Sequence, residues 1–177
     1  MKFRKLKVNI IILILIVTNL LSGTSCERNS GLRFISVGER IHHDDFEYSV
    51  TTYQLTRLLR NGNDTIRALG AFYLVRFKVD NRALRVGHKW DNRIGYIVDG
   101  KGGKYENKSN VQEFLNRLSP FGLKENYNTP AGASDSTILA FDIPLSVTKP
   151  CLMVKGETLM GDVFDRGSFR RTAIKLY

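Results

Sequence analysis

The side chains best suited to binding a ligand lie in a basic segment, residues 82–93, around the only tryptophan of the chain. Guanidinium and ammonium groups attract anions, and an indole ring offers a flat face for stacking. We therefore predict an exposed site for an anionic or sugar ligand, formed by Arg82, Arg85, His88, Lys89, Trp90 and Arg93. The alternative is that Trp90 packs inward and fixes the segment to the core, because tryptophan is usually highly buried.

The run His42-His43-Asp44-Asp45 contains side chains that zinc and other divalent metals accept as ligands. Adjacent side chains of an extended chain point in opposite directions, so only alternate members of the run could converge on one ion. The run also falls where a hairpin turn is expected. We therefore predict no metal site and no cofactor, and His42 and His43 are only weak candidates for metal ligands.

No set of residues in the sequence identifies a reaction. A hydrolase would need two carboxyl groups, or a nucleophile and a base, brought together by folding. The carboxylates that could contribute are Glu39, Asp44, Asp45 and Asp142. Gly95, Gly100 and Lys101 have the spacing of a phosphate-binding loop, but Gly102 stands where that motif needs Ser or Thr. We therefore predict a non-enzymatic protein, with an envelope-associated hydrolase as the alternative.

The N-terminus has the three parts of an export signal, which are a basic start, an apolar run and a short stretch of small residues. These parts are Lys2, Arg4, Lys5 and Lys7, then Val8–Leu21, then Ser22–Ser25. As a helix the apolar run is about 21 Å long, whereas the hydrocarbon layer of a bilayer is roughly 30 Å thick. The sequence therefore predicts a cleaved signal peptide, residues 1–25, rather than a spanning helix.

Cys26 directly follows the small residues Gly23-Thr24-Ser25, and this arrangement resembles the signals of bacterial lipoproteins. The resemblance implies that Cys26 becomes the N-terminal residue and carries acyl chains, with residues 26–31 as a short tether. Such chains would hold the protein on a membrane without a spanning helix. The alternative is a free secreted protein, in which Cys26 could pair with Cys151, the only other cysteine.

Size and charge fit one exported domain with a moderately basic surface. The chain has 177 residues and a net charge of +10, and four of these charges precede Cys26, which leaves 152 residues with a net charge of +6. Such a surface suits anionic partners, but the export signal argues against nucleic acid. We expect two partners: the membrane, through the lipid anchor, and an unknown protein or glycan of the bacterial cell envelope, at the outer membrane or the cell surface.

Strands dominate the chain after the signal. Alternation of apolar and polar residues, as at Phe46, Tyr48 and Val50, is typical of a half-buried strand. Asn61-Gly62 predicts a tight hairpin, and the most apolar stretch after the signal, Ala71–Val79, predicts a central strand. The predicted strands are Leu32–Val37, Phe46–Leu59, Ala71–Val79, Ile94–Val98, Ser136–Ile143, Leu152–Lys155 and Thr172–Leu176, with Gly38–Asp45 and Arg82–Arg93 as connections.

One helix is expected among these strands. Ser109 and Gln112 have the spacing of a capping box, in which each side chain bonds the backbone N–H of the other residue. Apolar residues follow at helical spacing, at Val111, Phe114, Leu115 and Leu118, and Pro120 ends the helix. Strands with a single helix among them predict an antiparallel β-sandwich or barrel.

The order of several short motifs resembles a family of secreted or lipid-anchored bacterial immunoglobulin-like domains of unknown function, related to an immunoprotective extracellular protein of mycobacteria. The motifs are Gly38-Glu39, Val79-Asp80-Asn81, Asp99–Tyr105 with the pattern Asp-x-x-Gly-x-x-Tyr, Pro130-Ala131-Gly132 and Phe141–Pro144. The resemblance spans residues 37–155 and implies a mainly β fold, an immunoglobulin-like antiparallel β-sandwich over residues 32–177. The chain departs from the family in an insertion, 108–129, which holds the predicted helix. The resemblance implies no activity and no catalytic residues.

Overall fold

Eleven strands are found in the computed structural model, which describes residues 31–118, 127–155 and 168–177. They are β1 Arg33–Ile35, β2 Arg40–His43, β3 Phe46–Asn61, β4 Asp64–Asn81, β5 His88–Lys89, β6 Gly95–Val98, β7 Lys104–Glu106, β8 Asn128–Thr129, β9 Ser134–Ile143, β10 Cys151–Val154 and β11 Thr172–Lys175. The helix α1 spans Ser109–Leu118, and a short 3-10 helix, Ser168–Arg171, precedes β11.

The strands form two sheets that share one core, plus a small ribbon. One sheet has four strands in the order β2-β3-β4-β9, the other has five in the order β1-β11-β10-β6-β7, and β5 pairs with β8 alone. All neighbours are antiparallel except β1 and β11, which run parallel at an edge of the five-stranded sheet. The predicted mainly β, immunoglobulin-like sandwich with one inserted helix is therefore confirmed in the described part of the chain.

The core lies between the inward faces of the two sheets. Alternate residues of β4, including Val75, Phe77 and Val79, are fully buried there. The five-stranded sheet faces them with Ile97 and other fully buried aliphatic side chains of β10 and β11. The predicted central strand is therefore confirmed, since β4 lies inside the four-stranded sheet and one of its alternating faces is buried in the core.

The predicted connections contain strands that the sequence pattern did not reveal. β2 lies inside the predicted connection Gly38–Asp45, and β5 lies inside Arg82–Arg93. Both predictions were wrong at these points because the two strands are short and largely polar. β4 also begins at Asp64, directly after the hairpin turn, rather than at Ala71.

The hairpin of β3 and β4 is longer than the strands on either side of it. β2 pairs with β3 only over residues 46–49, and β9 pairs with β4 only over residues 71–80. The turn consists of Gly62, with φ 58°, and Asn63, while Asn61 pairs with Asp64. The predicted hairpin is therefore confirmed, but Asn61 closes the ladder instead of lying in the turn, as expected when Gly takes the first loop position.

The helix α1 covers part of the outer face of the four-stranded sheet. Its apolar side joins a second buried cluster, separate from the main core, that contains Leu59, Phe72, Val111, Phe114, Leu115 and Ala140. The predicted helical spacing of apolar residues is therefore confirmed. The insertion that holds the helix gives the outer face of this sheet an apolar layer of its own.

The side chain of Gln112 contacts the edge strand β9 rather than the start of its own helix. Its Nε2 donates to the carbonyl of Ile138 at 2.8 Å, and its Oε1 accepts from the N–H of Ala140 at 3.1 Å. The predicted capping box is therefore wrong, since the amide does not turn back to Ser109. Instead Gln112 occupies hydrogen-bonding groups that an added strand would otherwise use.

Several predictions concern residues outside the described ranges. The signal peptide 1–25, the acylated Cys26, most of the tether 26–31 and the helix stop at Pro120 lie there. Within the described residues, no helix has the length and apolar character needed to cross a bilayer.

Candidate functional site

The basic segment is fixed to the sandwich by the residue that precedes it. Asn81 ends β4, and only 2% of its surface is exposed. Its Nδ2 donates to the carbonyls of Val86, Thr129 and Pro130 at 2.9 to 3.0 Å, and its Oδ1 accepts from the N–H of Ala83 at 3.0 Å. Both polar atoms of the side chain are thus used to hold residues 82–86 in one conformation.

Trp90 and His88 point into the core and not toward a ligand. They are 4% and 2% exposed, and the indole N–H of Trp90 donates to Thr129 Oγ1 at 2.7 Å. The Trp90 ring meets those of Phe77 and His88 edge to face, with centroids 6.3 Å and 5.3 Å apart. The predicted stacking surface is therefore wrong for these two residues, because a large ring whose polar atom is satisfied is most stable when buried. The alternative, in which Trp90 packs inward and fixes the segment to the core, is correct.

The environment of His88 keeps its ring uncharged at neutral pH. Burial, assisted by the nearby His43 and opposed by a backbone hydrogen bond, lowers the pKa of His88 from 6.5 to about 4. The ring lies against Phe46 and Tyr48, with centroids 5.0 Å and 5.6 Å away. Its Nδ1 has no hydrogen-bond partner among the described residues. His88 therefore adds no positive charge to the basic segment.

Two of the predicted cations are paired with acids. Arg82 contacts Glu47 at 2.9 Å, and Arg93 contacts Asp91 at 3.6 Å, where both side chains are exposed. Exposed ion pairs contribute little stability, but they do neutralise the charge that a ligand would meet. Arg82 and Arg93 are therefore weaker candidates for binding an anion than the sequence predicts.

The outward side of the basic segment presents two cations beside two apolar side chains. Arg85 and Lys89 are exposed, and neither forms an ion pair with an acid in the described ranges. Leu84 is 94% exposed and Val86 is 59% exposed. These four side chains are what the segment offers to a partner, and they suit one that places an acidic group next to an apolar surface.

A network of charges that the sequence did not suggest lies beside this segment, on the outer face of the four-stranded sheet. Glu47 and Asp80 stand directly opposite each other on β3 and β4. Glu47 accepts from Arg40 at 2.7 Å as well as from Arg82. Period-two alternation puts residues of two paired strands on one face, but the register that brings these two carboxylates together is not visible in the sequence.

Cations contact both carboxylates of this network. Asp80 contacts Lys78 at 2.6 Å and accepts from the hydroxyl of Ser134. Burial alone would raise the pKa of Asp80, but these hydrogen bonds and the charges of Lys78 and Arg40 outweigh it and hold the pKa below its usual value. Because a general acid needs a carboxyl group with a raised pKa, Asp80 is not suited to that role.

His42 and His43 lie on opposite faces of β2. His42 is exposed, whereas His43 is 1% exposed and packs among aromatic rings. Asp44, with φ 50°, and Asp45 form the turn into β3. Within residues 31–118, 127–155 and 168–177 there is no group of three or more His, Cys, Asp or Glu side chains that could hold a metal ion.

The four carboxylates considered for a hydrolase do not come together. Residues 44–45 lie beside Asn81, at one end of β4, whereas Asp142 pairs opposite Phe72. The distance along the strand between these positions is about 30 Å. Glu39 is also separate, because it precedes β2 whereas residues 44–45 follow that strand; its carboxylate accepts from the N–H of Ser36 at 2.7 Å. These residues therefore form no acid and base pair.

Asp142 has a structural role at an irregularity of the β3–β4 pairing. Thr56 pairs with Phe72 and Leu58 with Arg67, so β4 has extra residues here. The Asp142 carboxylate accepts from the N–H groups of Leu69 and Gly70 at 3.0 Å and 3.2 Å, and Lys108 Nζ lies 3.4 Å away. Burial would raise the pKa of Asp142, but these contacts outweigh it and lower the pKa. Asp142 thus satisfies backbone donors that the bulge leaves without a strand partner.

Comparison with known proteins shows the fold alone. No family model and no curated protein matches the chain. The yjhA protein from Bacillus subtilis is similar in structure, with 12% identity, a TM-score of 0.55 and coverage of 80% of this chain and 98% of that one. A secreted protein from Mycobacterium tuberculosis, MPT63, is also similar, with 10% identity, a TM-score of 0.51 and coverage of 72% of this chain and 92% of that one. A conserved hypothetical protein from Bacillus anthracis has 11% identity, a TM-score of 0.54 and coverage of 70% of this chain and 91% of that one.

Proposed function

We propose that the protein is a non-enzymatic lipoprotein of the bacterial cell envelope that binds a protein or glycan through the basic segment. In this proposal residues 1–25 direct export, and acylated Cys26 holds the mature chain on the membrane. The chain would be a distant relative of the immunoglobulin-like domains whose motifs it resembles. The sequence before Cys26 supports export, and the exposed side chains of the basic segment support binding.

The binding proposal depends on one observation: the backbone of the basic segment is fixed, and yet its apolar side chains are highly exposed. Leu84 and Val86 are exposed although Asn81 holds their backbone in place. Exposed apolar side chains that form a patch commonly mark an interaction surface. Because Arg85 and Lys89 stand beside them and Trp90 is buried, affinity would come from charge and apolar contact rather than from stacking. This combination favours a protein partner with acidic groups over a sugar.

Affinity capture from membranes of the producing cell tests this proposal. The bait is the mature chain, compared with Arg85→Gln/Lys89→Gln and with Leu84→Ser/Val86→Ser. Each double variant should lose the captured partner, because it removes either the charges or the apolar contact without touching the buried part of the segment. Substitution is preferable to deletion of the segment, since deletion would also remove core residues.

A matched control removes two exposed lysines outside both the basic segment and the β3–β4 hairpin, in Lys101→Gln/Lys149→Gln. This variant should capture the same partner as the unchanged chain. If it loses the partner as readily as the basic-segment variants do, then net charge and not the segment determines capture. Retention of the partner by both basic-segment variants would refute the proposal.

The lipid anchor can be tested by mass analysis of the mature protein. We expect a chain that begins at Cys26 and carries the added mass of acyl groups, and Cys26→Ala should release the protein from the membrane fraction. Cys151 is 4% exposed, its thiol contacts the carbonyl of Lys149 at 3.6 Å, and burial raises the pKa of that thiol. A disulfide between Cys26 and Cys151 without acyl mass would contradict the anchor and support a free secreted form.

A further inference from the structure

A second exposed surface lies on the end of the β3–β4 hairpin, residues 55–69, which we call the arm. Among the described residues, no strand pairs with the outer edge of β3 beyond Ser49, and β9 does not pair with β4 before Ala71. From Leu58 to Arg67 the arm is two-stranded and lies outside the four-stranded body of the sheet, whereas Leu55 and Thr56 at its base pair with residues of β4 that also pair with β9. It is also remote from the basic segment, which starts where β4 ends.

The arm is supported by the helix and does not project freely. Its Leu59 is 7% exposed and belongs to the buried cluster formed by α1 and the outer face of the sheet. Ile66 and Ala68, on the opposite strand of the arm, pack against the same cluster. An isolated two-stranded hairpin is only marginally stable in water, so this contact explains how the arm keeps its shape.

The charge of the arm is positive and is not neutralised locally. Arg57, Arg60 and Arg67 are exposed, and none forms an ion pair with an acid in the part of the chain that the structure describes. Asp64, at the turn, is the only acid between residues 55 and 69. The arginines of the charged network differ, since Arg40 and Arg82 both contact Glu47.

Exposed leucines accompany these arginines. Leu69 is 90% exposed and Leu55 is 50% exposed. Leu145, which is 63% exposed, is near Leu69 in the fold, because the backbone of Gly70 lies against that of Pro144. The arm thus carries apolar side chains that neither the main core nor the helix covers.

We propose that the arm binds the surface of a membrane rich in anionic phospholipid. Surfaces that bind at the membrane interface combine basic side chains, which are attracted by the headgroups, with apolar side chains that enter the region below them. The arm contains no aromatic residue, so it offers no ring on which a sugar or a nucleic acid base could stack. Its arginines are distributed along two strands rather than gathered in a pocket, which suits a surface of many headgroups better than one bound phosphate.

Binding to vesicles tests this proposal with the chain from residue 26 onward, carrying Cys26→Ser so that no acyl chain contributes. This chain keeps the whole compact unit Leu32–Tyr177. It should sediment with vesicles made mainly of phosphatidylglycerol and not with vesicles of phosphatidylcholine. Each basic residue near an anionic surface strengthens binding about fivefold, so Arg57→Gln/Arg60→Gln/Arg67→Gln should weaken it on the order of a hundredfold.

Two control variants separate the arm from the effect of general charge, and a third variant tests its apolar contact. Arg82→Gln/Arg85→Gln/Lys89→Gln removes three charges from the basic segment and should weaken vesicle binding by much less than the arm variant. Replacing the three arm arginines by lysine should preserve binding within a few fold, because both cations are attracted similarly by the surface. Leu69→Ser should weaken binding to phosphatidylglycerol vesicles.

Three results would overturn the proposal. The first is unchanged vesicle binding by the triple glutamine variant of the arm, whose thermal unfolding should match that of the parent chain because the three arginines are exposed. The second is equal loss in the basic-segment variant, which would mean that net charge alone determines binding. The third is complete release from the vesicles by millimolar inorganic phosphate at constant ionic strength, which would indicate a site for a soluble phosphate. Loss or retention of the envelope partner in the capture experiment would not affect any of these outcomes.

Discussion

Replacing Gln112 by leucine should destabilise the protein far more than its place on a surface helix would suggest. The side chain is 3% exposed and its amide contacts four groups. Besides Ile138 and Ala140, it accepts from Asn107 Nδ2 at 2.6 Å and donates to Asn116 Oδ1 at 3.0 Å. Leucine has a similar size but no polar atom, so the change removes every one of these bonds while leaving the packing volume nearly constant.

The expected loss in the free energy of unfolding depends on the groups that lose their hydrogen bond to Gln112. The N–H of Ala140 is buried, and a buried donor without a partner costs about 1 to 3 kcal/mol. The carbonyl of Ile138 is partly buried and can recover a hydrogen bond from water, so it should add no more than about 1 kcal/mol. The two asparagine side chains can turn toward solvent. Leucine is also a slightly better helix former and more apolar, which offsets part of this cost. We expect a net loss of about 2 kcal/mol in the free energy of unfolding.

Urea denaturation measures this loss as a lower midpoint with an unchanged dependence on denaturant, and a thermal scan should show a decrease of about 4 to 8 °C. Glu113→Leu is the matched control, because Glu113 is the exposed neighbour on the same helix, and its change should stay within about 0.5 kcal/mol. Hydrogen exchange supplies a local readout, since the amide of Ala140 should exchange faster in Gln112→Leu. If Gln112→Leu is as stable as the parent and Ala140 remains protected, then the amide does not protect the edge of β9.

Three further predictions concern the core and the turns. The folded pKa of His88 lies below its unfolded value, so the stabilisation should be complete above pH 6.5 and decrease toward pH 4. Between about pH 7 and pH 4.5 the free energy of unfolding from denaturant titrations should fall by about 2 kcal/mol more in the parent than in His88→Phe. An equal fall in both proteins would contradict this. Gly70→Ala should cost about 2 kcal/mol or more, because the added Cβ would meet the backbone of β9 and Pro144, whereas Gly100→Ala, with open space around it, should be nearly neutral in thermal unfolding. Asn81→Asp replaces the donating amide by a carboxylate oxygen that faces three carbonyls. This should release residues 82–86 from the sandwich, so trypsin should cleave after Arg85 much faster than in the parent. Equal cleavage rates would show that Asn81 does not hold these residues in place.

The basic segment shows where reasoning from residue types is sufficient and where it is not. Composition predicts a connection rich in cations over residues 82–93, and apart from the two-residue strand β5 the structure agrees, with Arg85 and Lys89 exposed. It also places Trp90 and His88 among the ligand contacts, because cationic side chains beside an indole ring can hold a ligand by charge and stacking. The burial of Trp90 and His88 depends on Thr129 and Phe77, which come from distant parts of the chain. A partner so far away in sequence leaves no local signal.

Gln112 gives the same lesson for a single side chain. Its spacing from Ser109 is that of a capping box, and the sequence could not reveal that β9 would lie within reach of the amide. Once β9 is an edge strand, its unpaired N–H and C=O groups are better partners than the helix terminus, since backbone groups at an edge need to be satisfied. The local rule was therefore overridden by a contact with a distant strand.

The sequence by itself determined the class of fold and several turns, because these depend on neighbouring residues. Period-two alternation specified the longer strands, although not β2 and β5. The Asp99–Tyr105 motif forms a turn closed by local hydrogen bonds, in which Asp99 accepts from the N–H groups of Lys101 and Gly103 at 2.8 Å and 2.7 Å and from the hydroxyl of Tyr105 at 3.0 Å. Only the tertiary structure decided which polar residues face each other, how far the arm extends and which cations remain unpaired. These features depend on register and on packing between strands that are distant in sequence, and a change of one residue in register would move every side chain to the other face.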